Sequence, residues 1–439
     1  MTKTIRLLMA FALIFVPYSY GHGIRQMSIG ELFTLANQQN PDIGVTNEAI
    51  TVARQGETVA KNARLPQINA SLTLSYLGDG TILDRDFGNA MRDKLPHFSN
   101  TLGVELYQPI YTGGAISSGV SLAEKGTEMA VNNRTMSVNS VRMAIATNYL
   151  ELAKNRNLRK VYDENIRLTE KLLGEMKAKH SQGIVLKNDI TRYELRLSSL
   201  SYDKLATENA IRIFNNNLVS LLGLDANTEI VPDIDADGLL TSEADMHSWL
   251  ETASEHSPSL KSLDISADIE RLNRKVAHSE YIPKIGIVAG DNFLGPVTFE
   301  VPALNKNYNA WFVGVNVKWN ISSLFTTPKS THRHDLELAR IRNEREAATG
   351  GIERGINEAI TLYRQAVEHL EIERKNVQLA EENYAVVSNR FDNQLALLTD
   401  MLDASNARLD AGVRLVNAEI STRFYYYQLH YIAGTLSTL

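Results

Sequence analysis

Four stretches of the chain alternate apolar and polar residues with a period of two. Ile68, Ala70, Leu72, Leu74 and Tyr76 alternate with Gln67, Asn69, Ser71, Thr73 and Ser75. Leu102, Val104 and Leu106 alternate with Thr101, Gly103 and Glu105. After Pro283, Ile285, Ile287 and Ala289 share one parity, and Trp311, Val313, Val315, Val317 and Trp319 alternate with Phe312, Gly314, Asn316 and Lys318. Successive side chains of a strand point to opposite faces, so the pattern predicts strands at about 67–77, 100–110, 283–290 and 310–321, each with one apolar face. Such a face suits a half-buried soluble sheet or a membrane barrel. Trp311 and Trp319 are eight residues apart, about 26 Å along a strand at ~3.3 Å per residue. On a tilted strand that sets one tryptophan near each edge of a ~25 Å apolar band, as an aromatic girdle requires.

Elsewhere the period is helical, with sparse apolar residues at spacings of three and four (Val141, Ile145, Tyr149, Leu152; Val377, Ala380, Tyr384, Val387). Of the 11 prolines, none falls between Pro109 and Pro232 and none follows Pro328. Proline lacks an N–H and clashes with the preceding turn, so these gaps mark helix interiors. Helices are predicted from Gly113-Gly114 to about His180, from Asp189 to Leu222, from about Ser330 to Phe391, and from Asp400 to Ala433. A helix of ~65 residues is about 100 Å long at 1.5 Å per residue and needs laterally packed partners. A shorter helix begins at Ser28, where Glu31 three residues on completes a capping-box pattern. Its continuation, about Asp42 to Arg64, stops before Pro66.

The order helix, strand, loop, strand, long helix, turn, helix occurs twice. Pro41 and Pro66 recur as Pro258 and Pro283 at an offset of 217, while Gly103, Asp189 and Gly223 recur as Gly314, Asp400 and Gly434 at an offset of 211. A repeat of this length is a duplication; solenoid periods run 20–50 residues. The expected organisation is a signal peptide over 1–21, a first repeat over 22–223, a linker over 224–257 and a second repeat over 258–439. Lys3 and Arg6 before the apolar run Leu7–Val16, then Pro17 and Ser19-Tyr20-Gly21, have the form of a secretory signal. Four strands cannot close a transmembrane barrel, whose smallest examples have eight. A membrane reading therefore implies strands pooled among copies of the chain.

Composition narrows the chemistry. The 439 residues carry 45 Lys+Arg and 51 Asp+Glu, a net charge of −6, which argues against a general nucleic-acid binder. Zero cysteine removes disulfides, thiolate metal sites, a cysteine nucleophile and a lipidated N-terminal cysteine. His332 and His334 are i, i+2 on a predicted helix and share no face, so no metal is expected there. No Gly-rich phosphate loop or nucleophile elbow appears, and neither an enzyme nor a cofactor is expected. Tyr425–Tyr427 reads as packing, and Asp264, Asp268 and Glu270 as a solvated helix face.

Several motifs resemble those of the TolC family of outer-membrane efflux proteins. They are the duplicated Pro…Pro-(Gln/Lys)-Ile approach to a strand, the run Tyr107-Gln-Pro-Ile-Tyr-Thr-Gly-Gly114, the turn Gln182-Gly-Ile-Val-Leu-Lys-Asn-Asp189, Leu398-Thr-Asp-Met-Leu-Asp-Ala404, and Gly434-Thr-Leu. The resemblance spans essentially the whole mature chain. It implies a mainly α fold with a membrane β-barrel: a homotrimer with four strands per chain in a shared twelve-stranded barrel, and a trimeric α-helical barrel of long coiled-coil hairpins across the periplasm. It also implies a passive exit duct for efflux or type I secretion. That duct sits in the outer membrane and docks with a periplasmic adaptor and an inner-membrane transporter. A non-pore periplasmic adaptor or coiled-coil scaffold is the alternative.

In the family the duct closes at the periplasmic tip. Motif match places the two turns at about Ser181–Asp189 and Phe391–Asp403, with Gly183, Gln394, Leu395 and Leu397 at the tips. Asp400 and Asp403 are i, i+3 on one helix face; three chains would stack two carboxylate rings able to hold multivalent cations. The same positions also suit helix capping. Asp189 matches a family position that ties the hairpins through a tyrosine and an arginine. Here those partners read Phe391 and Ala396, and the usual turn glycine is Gln394. The expectation is closure by apolar packing of Leu395, Leu397 and Leu398, or by a different ion pair.

Overall fold

The computed structural model describes residues 23–234, 246–300 and 302–439. The expected signal sequence, and residues 235–245 of the expected linker, lie outside these. In chain order the elements are β1 (Ile24–Met27), α1 (Ile29–Gln39), α2 (Pro41–Lys61), β2 (Gln67–Tyr76), β3 (Gly80–Ile82), β4 (Met91–Asp93), β5 (Phe98–Tyr111), α3 (Ala115–Ser181), α4 (Lys187–Leu221), β6 (Glu229–Pro232), α5 (Met246–His256), α6 (Pro258–Ser279), β7 (Lys284–Gly295), β8 (Tyr308–Lys318), α7 (Ser323–Asp392) and α8 (Leu398–Ala433).

Local chemistry sets most boundaries. At α1 the Glu31 carboxylate accepts from the Ser28 N–H at 2.8 Å and the Ser28 hydroxyl accepts from the Glu31 N–H at 3.4 Å, closing the capping box. Asn40 ends α1, and its buried side chain donates to the Leu221 carbonyl at 2.8 Å. α2 gives way to a short 3-10 turn, Asn62–Arg64, ahead of Pro66. α7 starts at Ser323, seven residues before the expected start, and holds Pro328 within its first two turns. Its opening turn is tight, with Ser323, Leu324 and Phe325 each donating three residues back. Proline fixes a helical φ, so this end of a helix accepts it far more readily than the middle.

All four long helices stop in the same way. The N–H groups of Gly183 and Ile184 donate to His180 and Lys179, and those of Gln394 and Leu395 donate to Phe391 and Arg390. Gly223 and Leu224 donate to Ser220 and Val219, and Gly434 and Thr435 to Tyr431 and His430. Each is a Schellman cap, which satisfies orphan carbonyls and requires a left-handed residue. φ is +78° at Gly183, +62° at Gly223, +62° at Gln394 and +79° at Gly434.

The chain divides into two compact units. The first takes residues to Asn40, Ala144–Thr241 and Ala366–Phe424. In it β1 and β6 pair in parallel, Ile24 opposite Glu229, and Tyr149 donates to the Met27 carbonyl at 3.1 Å. The second takes Pro41–Met143, Ser242–Gln365 and Tyr425–Leu439. Its core joins Ala253 of α5, Ile356, Ala359, Ile360 and Tyr363 of α7, and Leu429 and Ala433 of α8, with Tyr425 and Tyr426 packed against it. Tyr427 is buried as well, so the tyrosine run is packing. The acids of α6 are ion-paired; Asp264 and Asp268 keep the solvent exposure expected of them, while Glu270 is largely buried. Asp264 meets Arg345 at 2.6 Å, Asp268 meets Lys125 at 2.9 Å and Glu270 meets His334 at 2.5 Å. Lys125 and Arg271 hold the Asp268 carboxyl below its ordinary range. α6 has helical neighbours that a one-dimensional pattern does not display.

Two predictions follow from these caps and this core. A Cβ at Gly183 meets nothing within 4 Å, so Gly183→Ala costs only the left-handed backbone, about 1–2 kcal/mol. A Cβ at Gly434 would lie 2.6 Å from the His256 carbonyl oxygen and 2.7 Å from Pro258 Cδ. Gly434→Ala should therefore lower the thermal unfolding midpoint in detergent more than Gly183→Ala does. His430 lies against Trp249 and Tyr426, and burial pushes its imidazole down to about 4. Below the ordinary value of 6.5 the unfolded chain takes up a proton that the folded chain refuses, so this contribution to stability falls as pH drops from 6.5 towards 4. Between pH 7 and 5 the midpoint of the wild type should fall more steeply than that of His430→Gln.

Candidate membrane sheet and channel tip

β2, β5, β7 and β8 form one antiparallel sheet in that order. The register aligns Ala70 with Val104, Val104 with Asp291 and Asp291 with Trp311. Neighbouring rows bring together Ile68, Leu106, Ala289 and Val313 on one side, and Leu72, Leu102, Phe293 and Asn309 on the other. The alternations read along single strands thus merge into one apolar face. It is exposed: Ile68, Leu72, Trp311, Val313 and Val315 each keep more than 60% of their accessible area. Asp291 is the single charge on this face and stands in the Trp311 row. Trp319 follows β8, eight residues from Trp311, and its indole N–H donates to the Tyr281 carbonyl at 3.1 Å. β7 runs to Gly295, beyond the expected 290, because its later residues still pair with β5 and β8.

The opposite face carries Asn69, Ser71, Thr73, Thr101, Glu105, Asn292 and Asn316. Phe312 lies over Gly290 on this side; a Cβ there would sit 2.6 Å from its ring. The register between β5 and β7 shifts at Pro109–Tyr111, where a proline without an N–H costs the ladder least. β2 and β8 are edge strands with no further partner in the chain. The loop between β2 and β5 folds into the β3–β4 hairpin, tied by Asp79 and Arg92 at 2.5 Å.

The hairpin turns lie in the other unit. Leu173, Met176, Ile190 and Tyr193 of α3 and α4 form a buried cluster, against which Leu398 and Leu402 of α8 pack. Burial raises the Tyr193 phenol above its ordinary range. Of the three leucines expected to close the tip, Leu398 joins this cluster. Leu395 and Leu397 stay exposed, as do Ile184 and Leu186, their counterparts at the 211 offset. Gln394 takes the left-handed cap position that Gly183 takes in the first turn. The Asp400 carboxylate accepts from the Leu397 N–H at 2.9 Å, which makes it a cap for α8. Asp403 is exposed one turn on, and Asp189 is half-buried in the first turn of α4.

Sequence reasoning missed one tip contact: the Lys179 ammonium lies 5.3 Å from the Phe391 ring centroid. A basic residue one turn before the cap was the available signal. His334 pairs with Glu270, and no group of three or more His, Cys, Asp or Glu residues among the described residues is placed to hold a metal.

The two sheet faces predict opposite responses to charge. Val315 lies midway between the tryptophans on the apolar face, where an arginine in a bilayer costs about 2–4 kcal/mol. Asn316 faces the other way, and arginine there should be nearly neutral. Val315→Arg should lower the yield of heat-modifiable oligomer in the membrane fraction, and Asn316→Arg should leave it near the wild-type level.

Comparison with known proteins agrees with this geometry. Residues 32–224 match the family model described as outer membrane efflux protein. No curated protein matches in sequence. Among solved structures, the chain resembles the outer membrane protein VceC of Vibrio cholerae with a TM-score of 0.72 at 15% identity, over 92% of this chain and 96% of that one. It resembles the CmeC outer membrane channel of Campylobacter jejuni with a TM-score of 0.73 at 14% identity, over 93% and 85%. The open-state MtrE outer membrane channel of Neisseria gonorrhoeae gives 0.72 at 15% identity, over 93% and 89%. Residues 32–224 thus match the outer membrane efflux protein family model, and the chain as a whole shares the fold of these outer-membrane channels.

Proposed function

We propose that three copies of this chain form a passive efflux duct that crosses the outer membrane and extends into the periplasm. The observation that carries this is the sheet: four strands in register, one face apolar and exposed, the other polar, with both edges open. In lipid each unpaired backbone group costs several kcal/mol, so open edges must find partners. Pairing β8 of one copy with β2 of the next, three times over, closes twelve strands and leaves the polar face lining the bore. Trp311 and Trp319 then act as the two girdles of the apolar band. A non-pore adaptor or scaffold would have no use for such a face. The family and fold are those of transport proteins, and we assign the chain no enzymatic activity and no cofactor. Residues 1–21 act as a signal peptide that is removed, and residues 224–257 link two repeats, 22–223 and 258–439.

The periplasmic tip is the gate. Ile184, Leu186, Leu395 and Leu397 are exposed on a single chain, so assembly must cover them or a partner must. They suit the ring of hairpin contacts and the docking of a periplasmic adaptor, which joins the duct to an inner-membrane transporter. Asp400 spends one oxygen on its cap and leaves the other for the bore, one helical turn from Asp403. Three copies give two stacked rings of carboxylates, where field focusing favours multivalent cations. Asp189 stands at the base of the first hairpin as part of the same constriction.

The test begins with membrane fractionation: the protein should reach the outer membrane as a heat-modifiable trimer, and a soluble monomer would end the duct reading. Purified protein in a planar bilayer should conduct and be blocked by multivalent cations. Asp400→Asn with Asp403→Asn should weaken that block about tenfold or more, as loss of a focused ring of charge requires. Unchanged block would remove both residues from the gate.

A further inference from the structure

The polar face of the sheet carries one acidic side chain, Glu105. It is exposed, and its carboxylate has no ion-pair or hydrogen-bond partner among the described residues. The row that crosses the sheet at this point reads Asn69, Glu105, Gly290, Phe312. Gly290 contributes no side chain, and the Phe312 ring reaches over from β8 to the place a Cβ would take there. The ring thereby stands over the strand next to Glu105, one strand spacing of ~4.8 Å away. Phe312 still keeps 48% of its accessible area. Tyr107, two residues from Glu105 on the same face, lies over Gly286 in the same manner and is half-buried. An exposed carboxylate is thus set between two aromatic rings.

Rings laid over strand glycines stabilise a sheet by covering bare backbone. That role accounts for Phe312 and Tyr107 but not for the acid between them. A carboxylate bordered by rings is suited to an organic cation: the acid supplies opposite charge, and a ring supplies apolar surface and a quadrupole that attracts a cation within ~6 Å. An anion of the same shape would meet the same rings and be repelled by Glu105. No cation on this face cancels the acid. Lys284 and Lys318 stand opposite each other at the far end of β7 and β8, and Lys284 is paired with Glu280 at 2.8 Å. Lys318 is six residues from Phe312, ~20 Å along the strand. That is twice the ~10 Å screening length of 0.1 M salt.

We infer that Glu105, Phe312 and Tyr107 form a binding site in the bore for organic cations with an apolar body, and that the duct itself favours such ions over anions of the same shape. The inference rests on the duct reading, which turns this face to the bore. The site lies on β5, β7 and β8 of a single chain and needs no contact between copies. Its chemistry keeps it weak, because the carboxylate is exposed and screened and the rings are only half desolvated. Weak binding suits a conduit, in which an ion must leave a site as readily as it enters.

Benzyltrimethylammonium and benzylsulfonate have similar shapes and opposite charges, and serve as probes of the full-length protein in planar bilayers. Added on the barrel side, the ammonium should block wild-type current at a concentration about tenfold or more below that of the sulfonate. Glu105→Gln should erase that difference. Phe312→Leu keeps apolar bulk over Gly290 but loses the ring, and should raise the blocking concentration of the ammonium about three- to fivefold while leaving that of the sulfonate unchanged. A ring that served only to cover glycine would show no such dependence on the sign of the probe. Tyr107→Phe and Lys318→Gln should stay near wild type. Asp400→Asn with Asp403→Asn should leave the difference between the probes in place, which separates this site from the tip. Equal block by both probes in the wild type, or unchanged ammonium block in Glu105→Gln with conductance and trimer intact, would overturn the site and leave the duct standing. A wild-type protein that forms no pore would overturn both.

Discussion

A sheet with an apolar face and two open edges places one demand on everything else in this chain: its backbone N–H and C=O groups must be satisfied where water cannot satisfy them. β5 and β7 meet the demand inside the chain, since each is paired on both sides. β2 and β8 do not, and their side chains are already committed, with Ile68, Leu72, Val313 and Val315 facing out. A one-residue slip would turn that whole set to the wrong face, so partner strands must match parity as well as direction. Copies of the same chain satisfy both conditions, because β8 and β2 are antiparallel edges of one register. The assembly proposed above would satisfy these hydrogen-bonding demands of a sheet placed in lipid.

The long helices answer a related problem at their ends. A helix leaves four carbonyls without intrahelical partners. All four long helices meet this with the same Schellman cap, so each turn is held by backbone geometry while its side chains remain available. That is why the tips can expose Ile184, Leu186, Leu395 and Leu397 without fraying. It is also why Gln394 is informative. A non-glycine residue at φ +62° carries a backbone penalty of about 1 kcal/mol or more, and the chain accepts it at the one cap whose preceding helix ends in Arg390-Phe391.

Much of this was legible in one dimension because backbone rules act locally. The capping box at Ser28, the stop before Pro66, the strand alternations and the glycine caps at 183, 223 and 434 need only neighbours in sequence. Where the reading slipped, the cause was a contact across the fold. Pro328 precedes the expected start of α7 at about Ser330, and a tight opening turn lets it lie inside the helix. Asp264, Asp268 and Glu270 looked solvated, yet Arg345, Lys125 and His334 approach from other helices. β7 outran its weak alternation because pairing on both sides sustains residues such as Asn292 that have little strand preference of their own. At the tip, the motif match fixed where the turns lie but could not show that Lys179 reaches Phe391.

The tip also separates two ways of holding a helix bundle shut. A carboxylate lock depends on a hydrogen bond between a charged acceptor and a tyrosine or arginine donor, and Phe391 and Ala396 remove both donors here. An exposed ion pair is worth little in water and less in salt. A cation over a ring is partly desolvated by the ring itself and keeps its attraction over a broad range of orientations. It therefore suits a joint that must open as helices slide, since small displacements weaken it gradually. Asp189 is the carboxylate left without those donors, whereas Asp400 is spent on the cap of α8, one turn before Asp403.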